Sequence, residues 1–204
     1  MIVQQKIMSL CFVFLLINCA NNPPRQPNNL CAVFKEHPDW YKASKNAEKK
    51  WNVPIHVPLA IMYQESSFKH DAKPPMQYFL GFIPKGRASS SYGYSQAKDG
   101  TWDQYKKSTH QRFASRSNFA DSVDFISWYV VQTKKINGIS TWDAYHQYLN
   151  YHEGWYGYQK KSYLKKAWLN GVAHKVDKRA KQYAIQYIDC RQELEKKRKR
   201  FWLF

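Results

Sequence analysis

The stretch Val57-Pro58-Leu59-Ala60-Ile61-Met62-Tyr63-Gln64-Glu65-Ser66-Ser67-Phe68 runs from almost wholly apolar chain into a single carboxylic acid. Pro58 suits the first turn of a helix, where its missing N–H costs nothing. The apolar run Val57–Tyr63 therefore predicts a helix that continues to about Phe68. Glu65 lies one turn after Ile61 on the same face. A carboxyl held against an apolar helix end keeps its proton near neutral pH, because burial disfavours the charged form. A carboxyl that stays protonated is what a general acid needs to cleave a glycosidic bond. Taken alone, a Glu at a helix end is most often a surface charge, so its neighbours must decide.

Helical patterning extends on both sides. Upstream, Ala32–Trp51 carries Phe34, Trp40, Tyr41, Ala47 and Trp51 among charges. It reads as one broken helix or two short ones around Pro38, closed by a turn at Asn52-Val53-Pro54. Downstream, Lys69–Ser91 holds Pro74, Pro75, Gly81, Pro84, Gly86 and three consecutive serines. This is a long loop with a short hairpin around Met76–Ile83, and loops of such length are often functional. Asp99-Gly100-Thr101-Trp102 predicts a turn and then a helix with Thr101 as its N-cap. Asn118–Lys135 is the clearest helix: Asn118 caps it, Asp121 favours its positive end, and Phe119, Val123, Ile126 and Val130 recur at helical spacing. A further helix starts at Ser140 or Thr141 and runs into Tyr151. The last two are expected at about Tyr158–Asn170 and Val172–Arg191, the second turning Val176, Ala180, Tyr183, Ala184 and Tyr187 inward. No segment is rich in strand signals and no internal repeat appears. The reading is a mainly α single domain, with a long irregular loop or small hairpin after the Glu65 helix.

At 204 residues the chain can build one domain with a real core, or at most two small ones. A hydrophobic fraction of 44% excludes a disordered chain. The net charge of +17 attracts polyanions, whether nucleic acid, anionic lipid or an acidic cell-wall polymer. Much of it lies in runs such as Lys196-Lys197-Arg198-Lys199-Arg200, and such runs are usually solvated helix faces. Aromatics make up 17% of the residues, which fits either a tyrosine-rich core or a groove of flat rings suited to sugars or nucleobases. Composition alone favours the core.

The N-terminus speaks to compartment. Lys6 precedes the apolar run Ile7–Ile17, too short to span a membrane as a mature helix and of the length of a signal segment. It ends in Leu16-Ile17-Asn18-Cys19, which resembles a bacterial lipobox, although Asn18 stands where a small residue is usual. The expectation is a signal peptide over 1–18, lipidation at Cys19 and a flexible Asn- and Pro-rich tether over 19–29. Ordinary signal cleavage is the alternative. The product is expected to be an exported bacterial cell-envelope lipoprotein, facing the periplasm and held at the outer membrane. Export implies an oxidising compartment, so the remaining cysteines, Cys31 and Cys190, are predicted to form a disulfide, with two buried thiols as the alternative. Neither has a Cys or His partner at ligand spacing, so no metal site is expected. The folded domain should span 30–191, leaving 192–204 as a basic and aromatic tail ending in Phe201-Trp202-Leu203-Phe204.

Three ordered motifs carry a family resemblance: Val57-Pro58 through Glu65-Ser66-Ser67-Phe68, then Gly93-Tyr94-Ser95-Gln96, then Asn150-Tyr151-His152-Glu153-Gly154. Any one alone is weak. In order, over roughly Leu30–Asp189, they resemble the soluble-lytic-transglycosylase type of lytic transglycosylase domain, within the lysozyme-like superfamily. The resemblance implies a lysozyme-like fold that cleaves the β-1,4 bond between N-acetylmuramic acid and N-acetylglucosamine in peptidoglycan. It implies Glu65 as acid and base and 1,6-anhydromuramyl products. It also implies that Tyr151 hydrogen-bonds Glu65, that Gln96 and the Gly93–Ser95 backbone hold sugar groups, and that Ser66 supports the acid. Glycan strands are then the partner, with membrane attachment through the lipid, no specific nucleic acid, no cofactor and a monomeric state. His152 and Asn150 depart from the family pattern of Asn and Ala and bear on substrate preference.

Three other readings compete. Loss of catalysis would leave a peptidoglycan-binding lipoprotein, and a water placed by Glu153 or Asp71 would give a hydrolase like goose-type lysozyme. A polyanion-binding factor acting through the basic C-terminal helix is the third class, and its binding would fall steeply with salt.

Overall fold

The computed structural model describes residues 22–201. Leu30–Glu36 form α1, capped by the Asn29 side chain, and Pro38–Trp51 form α2. The break at His37 is the one expected at Pro38, which opens α2 where its lack of an N–H does no harm. His56–Ser66 form α3, whose residues from His56 to Met62 are all buried. A helix apolar on every side belongs at the centre of a bundle. α3 is that helix, packed against three later ones: α5 (Phe119–Asn137), α6 (Ala144–Gln159) and α7 (Ala167–Phe201). α4 (Asp99–Thr109) packs on α5, and α2 lies along α5. The fold is mainly helical and lysozyme-like.

Between α3 and α4 the expected hairpin forms, but it extends past Ile83 to Arg87. β1 (Met76–Phe79) pairs antiparallel with β2 (Ile83–Arg87), with a bulge between Gln77 and Tyr78. Every residue of both strands is exposed.

Most of the rings serve the core. Trp40 of α2 stacks on Phe119 at 4.1 Å and meets Phe68 and Tyr94 at 5.6 Å each. One indole thus ties together α2, the start of α5, the end of the Glu65 helix and the second motif. Arg179 of α7 lies 3.6 Å over the Tyr63 ring and couples α7 to α3.

Five sequence expectations need correction. Lys98, not Thr101, is the N-cap of α4, and Ser90 Oγ accepts the Asp99 N–H. Asp143, not Ser140 or Thr141, caps α6, accepting from the His146 N–H at 3.0 Å. α6 passes Tyr151 and breaks only at Gly154, whose φ of 73° and ψ of 160° are non-helical. The two final helices are one: α7 runs through Gly171 because Leu169, Ala173, Val176, Ala180, Tyr183 and Tyr187 form a continuous buried face. α7 also continues past 191, burying Leu194, so 192–201 is helix and not a separate tail.

The expected tether is partly docked. Pro24 is buried, and the carbonyls of Pro27 and Asn28 accept from Tyr183, Gln182 and Gln186 of α7. A proline-rich backbone has few N–H groups but keeps all its carbonyls, and these satisfy the α7 donors. Cys31 and Cys190 form the predicted disulfide, with Cα atoms 5.9 Å apart across 159 residues of sequence. The signal segment, Cys19 and Trp202–Phe204 lie outside the described residues. Among the described residues no helix is long and apolar enough to cross a membrane.

Candidate active site

Glu65 sits in the last turn of α3. The chain leaves the helix at once: Ser67 adopts φ 51° and its N–H returns to the Tyr63 carbonyl at 2.8 Å. This sharp exit opens the end of a buried helix onto a cleft of about 410 Å³. Glu65 is partly buried, with one side on the cleft and protein around the rest of its carboxyl. Burial pushes its pKa up to about 7, while a hydrogen bond from Tyr148 pulls in the opposite sense. The exposed carbonyls at the helix C-terminus also disfavour a negative charge there.

The partner of Glu65 differs from the expected one. Tyr148 of α6 donates to its carboxyl. Tyr151 stands close enough for the Glu65 charge to raise its pKa, but its hydroxyl donates to the Ser95 carbonyl at 2.5 Å. Tyr151 therefore ties the second motif to α6 rather than orienting the acid. The signal for Tyr148 was its place three residues before Tyr151, on the same helix face.

The Gly93–Gln96 turn is shaped by its own backbone. Gly93 has φ 71°, and a Cβ there would lie 2.0 Å from the Arg116 carbonyl oxygen. The Gly93 N–H donates to Ala72 O and the Tyr94 N–H to Arg116 O. Tyr94 and Ser95 are fully buried, so this backbone faces the protein and not the cleft. Gln96 lines the cleft at φ 49° and spends both amide hydrogens on the carbonyls of Ala72 and Gly93. Its Oε1 is the atom left for a ligand. Arg116, which no motif singled out, clamps the turn through Ser90 O, Ala97 O and Asp99.

The third motif supplies the far wall. His152 and Glu153 line the cleft, and the break at Gly154 lets the chain turn away there. His152 Nδ1 lies 2.9 Å from Glu153, and its ring meets the edge of Trp168 at 5.2 Å. The Glu153 side chain is only 4% exposed. Burial alone would raise its pKa, but hydrogen bonds from Lys166 and Ser162 and the His152 contact outweigh it and hold the carboxyl at about 2. Both Glu153 oxygens are engaged by Lys166. Lys166, His152 and Ser162 thus engage the oxygens of Glu153, the residue that the alternative hydrolase reading uses to position a water. Asp71 is exposed beside His70 and does not line the cleft. Asn150 is buried, bonding to Asn137 and His146, so this departure from the family pattern is internal.

Of the predicted residues, Glu65, Gln96, Tyr151 and His152 meet at the cleft, with Phe125 and Tyr129 beneath them. Ser66, Gly93, Tyr94 and Ser95 stand behind it, and Ser66 Oγ donates back to Met62 O at 3.1 Å instead of supporting the acid. Among the described residues no group of three or more His, Cys, Asp or Glu could hold a metal ion.

A family model described as Transglycosylase SLT domain matches residues 7–190. No curated protein and no solved structure matches the chain. With the match spanning most of the chain and including all three motifs, the protein belongs to the transglycosylase SLT domain family.

Proposed function

We propose that the protein is a peptidoglycan lytic transglycosylase that cleaves the MurNAc-β-1,4-GlcNAc bond and leaves 1,6-anhydromuramyl ends. The observation that carries the reading is Glu65: one carboxyl at the cleft, held protonated to about neutral pH, with Tyr148 bonded to it. Protonated Glu65 gives its proton to the glycosidic oxygen as the C1–O bond breaks. The muramyl C6 hydroxyl then adds to C1, and Glu65, now a carboxylate, takes the hydroxyl proton. The acid is regenerated and no water is consumed, so one carboxyl suffices. The N-acetyl group can assist at C1. Gln96 Oε1 and His152 are the polar groups placed to hold the sugars.

Export, lipidation at Cys19 and an outer-membrane location belong to the same proposal, supported by Ile7–Cys19 and by the disulfide. Digestion of purified sacculi followed by mass spectrometry tests the reaction. Anhydro-ended muropeptides lighter by one water than reducing-ended ones are expected, and Glu65→Gln should release none while keeping the native helical spectrum. Reducing-ended products would assign the hydrolase reading. Pulldown on sacculi with no soluble product would assign the inactive binder.

A further inference from the structure

We propose that the β1–β2 hairpin is a membrane-contact element whose apolar tip enters the interface of an anionic phospholipid bilayer. Its tip exposes a run of large apolar side chains: Phe79, Leu80, Phe82 and Ile83 are 57%, 70%, 72% and 44% exposed. Contiguous exposed apolar patches mark interaction sites. The two strands pair chiefly with one another, and an isolated hairpin is marginally stable in water. Covering these side chains would therefore stabilise the hairpin as well as hold the protein.

Charge identifies the occupant. Lys73 and Arg87 near the base of the hairpin and Lys85 midway along β2 are exposed, and no Asp or Glu occurs between Asp71 and Asp99. An apolar tip with cations behind it matches a bilayer of negative surface potential, with rings and aliphatic chains in the acyl boundary and the Lys and Arg groups at the phosphates. A glycan strand would call for polar groups near the rings, and from Phe79 to Pro84 no side chain carries one. The strand β2 leads directly to Ser89 and Ser91 on the cleft rim, so contact through the tip would hold the cleft near the bilayer surface. This inference does not depend on the reaction assigned above.

Amide hydrogen exchange on the full chain tests it. The apolar segment 7–17 can bind lipid by itself, so the readout is confined to residues 76–87. With phosphatidylglycerol-rich vesicles, exchange of these amides should slow by about fivefold or more. It should change little with pure phosphatidylcholine, and the protection should weaken with added salt. Leu80→Ser/Phe82→Ser should abolish the protection, and Lys85→Glu should reduce it. Both changes lie on exposed positions, and unchanged exchange elsewhere in the chain verifies the fold. Equal exchange with and without vesicles overturns the proposal, as does equal protection by both lipids. Protection by soluble glycan strands but not by vesicles would assign the hairpin to substrate, and protection that grows with protein concentration alone would assign it to a second copy.

Discussion

At Glu65 the proposed chemistry depends on a balance between burial, which favours the neutral acid, and the Tyr148 hydrogen bond, which favours the carboxylate. Burial wins, and the pKa rises from 4.5 to about 7. The general acid is needed protonated, so activity should fall as pH rises through about 7. Tyr148→Phe removes the group that stabilises the carboxylate. The Glu65 pKa should then rise further, moving the alkaline limb of the kcat profile upward by about half a unit or more. The same variant should lose roughly tenfold in kcat, because the acid is no longer held in place. A profile of unchanged shape in Tyr148→Phe would contradict the assignment. Glu153 shows the opposite balance, since Lys166, Ser162 and His152 outweigh its burial. The two carboxyls of one cleft therefore stay in different protonation states near neutral pH.

At the scale of elements, the site is a junction of three segment ends: the C-terminus of α3, the Gly93–Gln96 turn and the broken part of α6. The turn is the least tolerant. Gly93→Ala would drive a Cβ into the Arg116 carbonyl at a φ of 71°. It should lower the unfolding free energy by about 2–4 kcal/mol and abolish activity, as followed by denaturant unfolding. Retained activity with wild-type stability would show that the turn is not as rigid as described. The sequence made the first two motifs and α5 legible because each has a local signature: an apolar run before an acid, a glycine turn, a capping Asn118. Tyr148 was only half legible: its place three residues before Tyr151 puts both on one face of α6, but choosing between them requires the rotation of α6 relative to α3. Ser66 misled for a related reason: a serine beside an acid suggests support, but its hydroxyl was satisfied by its own helix. The single α7 was hidden by Gly171, whose helix-weakening effect is overridden by a continuous buried face.

At the scale of the whole molecule, the first described residues are fastened to α7. Residues 24–29 lie on α7, and Cys31–Cys190 closes nearly the whole described chain. A loop of that length gives a disulfide its largest entropic leverage. Cys31→Ser/Cys190→Ser should lower stability by about 2–5 kcal/mol, read as a fall in the denaturation midpoint, without altering the pH profile of activity. A midpoint equal to the parent's would mean that the docked segment alone holds the ends. What this framework accomplishes is the placement of a central apolar helix so that its last turn presents a carboxyl to a cleft without exposing it fully to water. A carbon-13 NMR titration of the Glu65 side-chain carboxyl in the intact protein tests that claim most directly. The account predicts a midpoint at about 7; a midpoint at the ordinary 4.5 would contradict it.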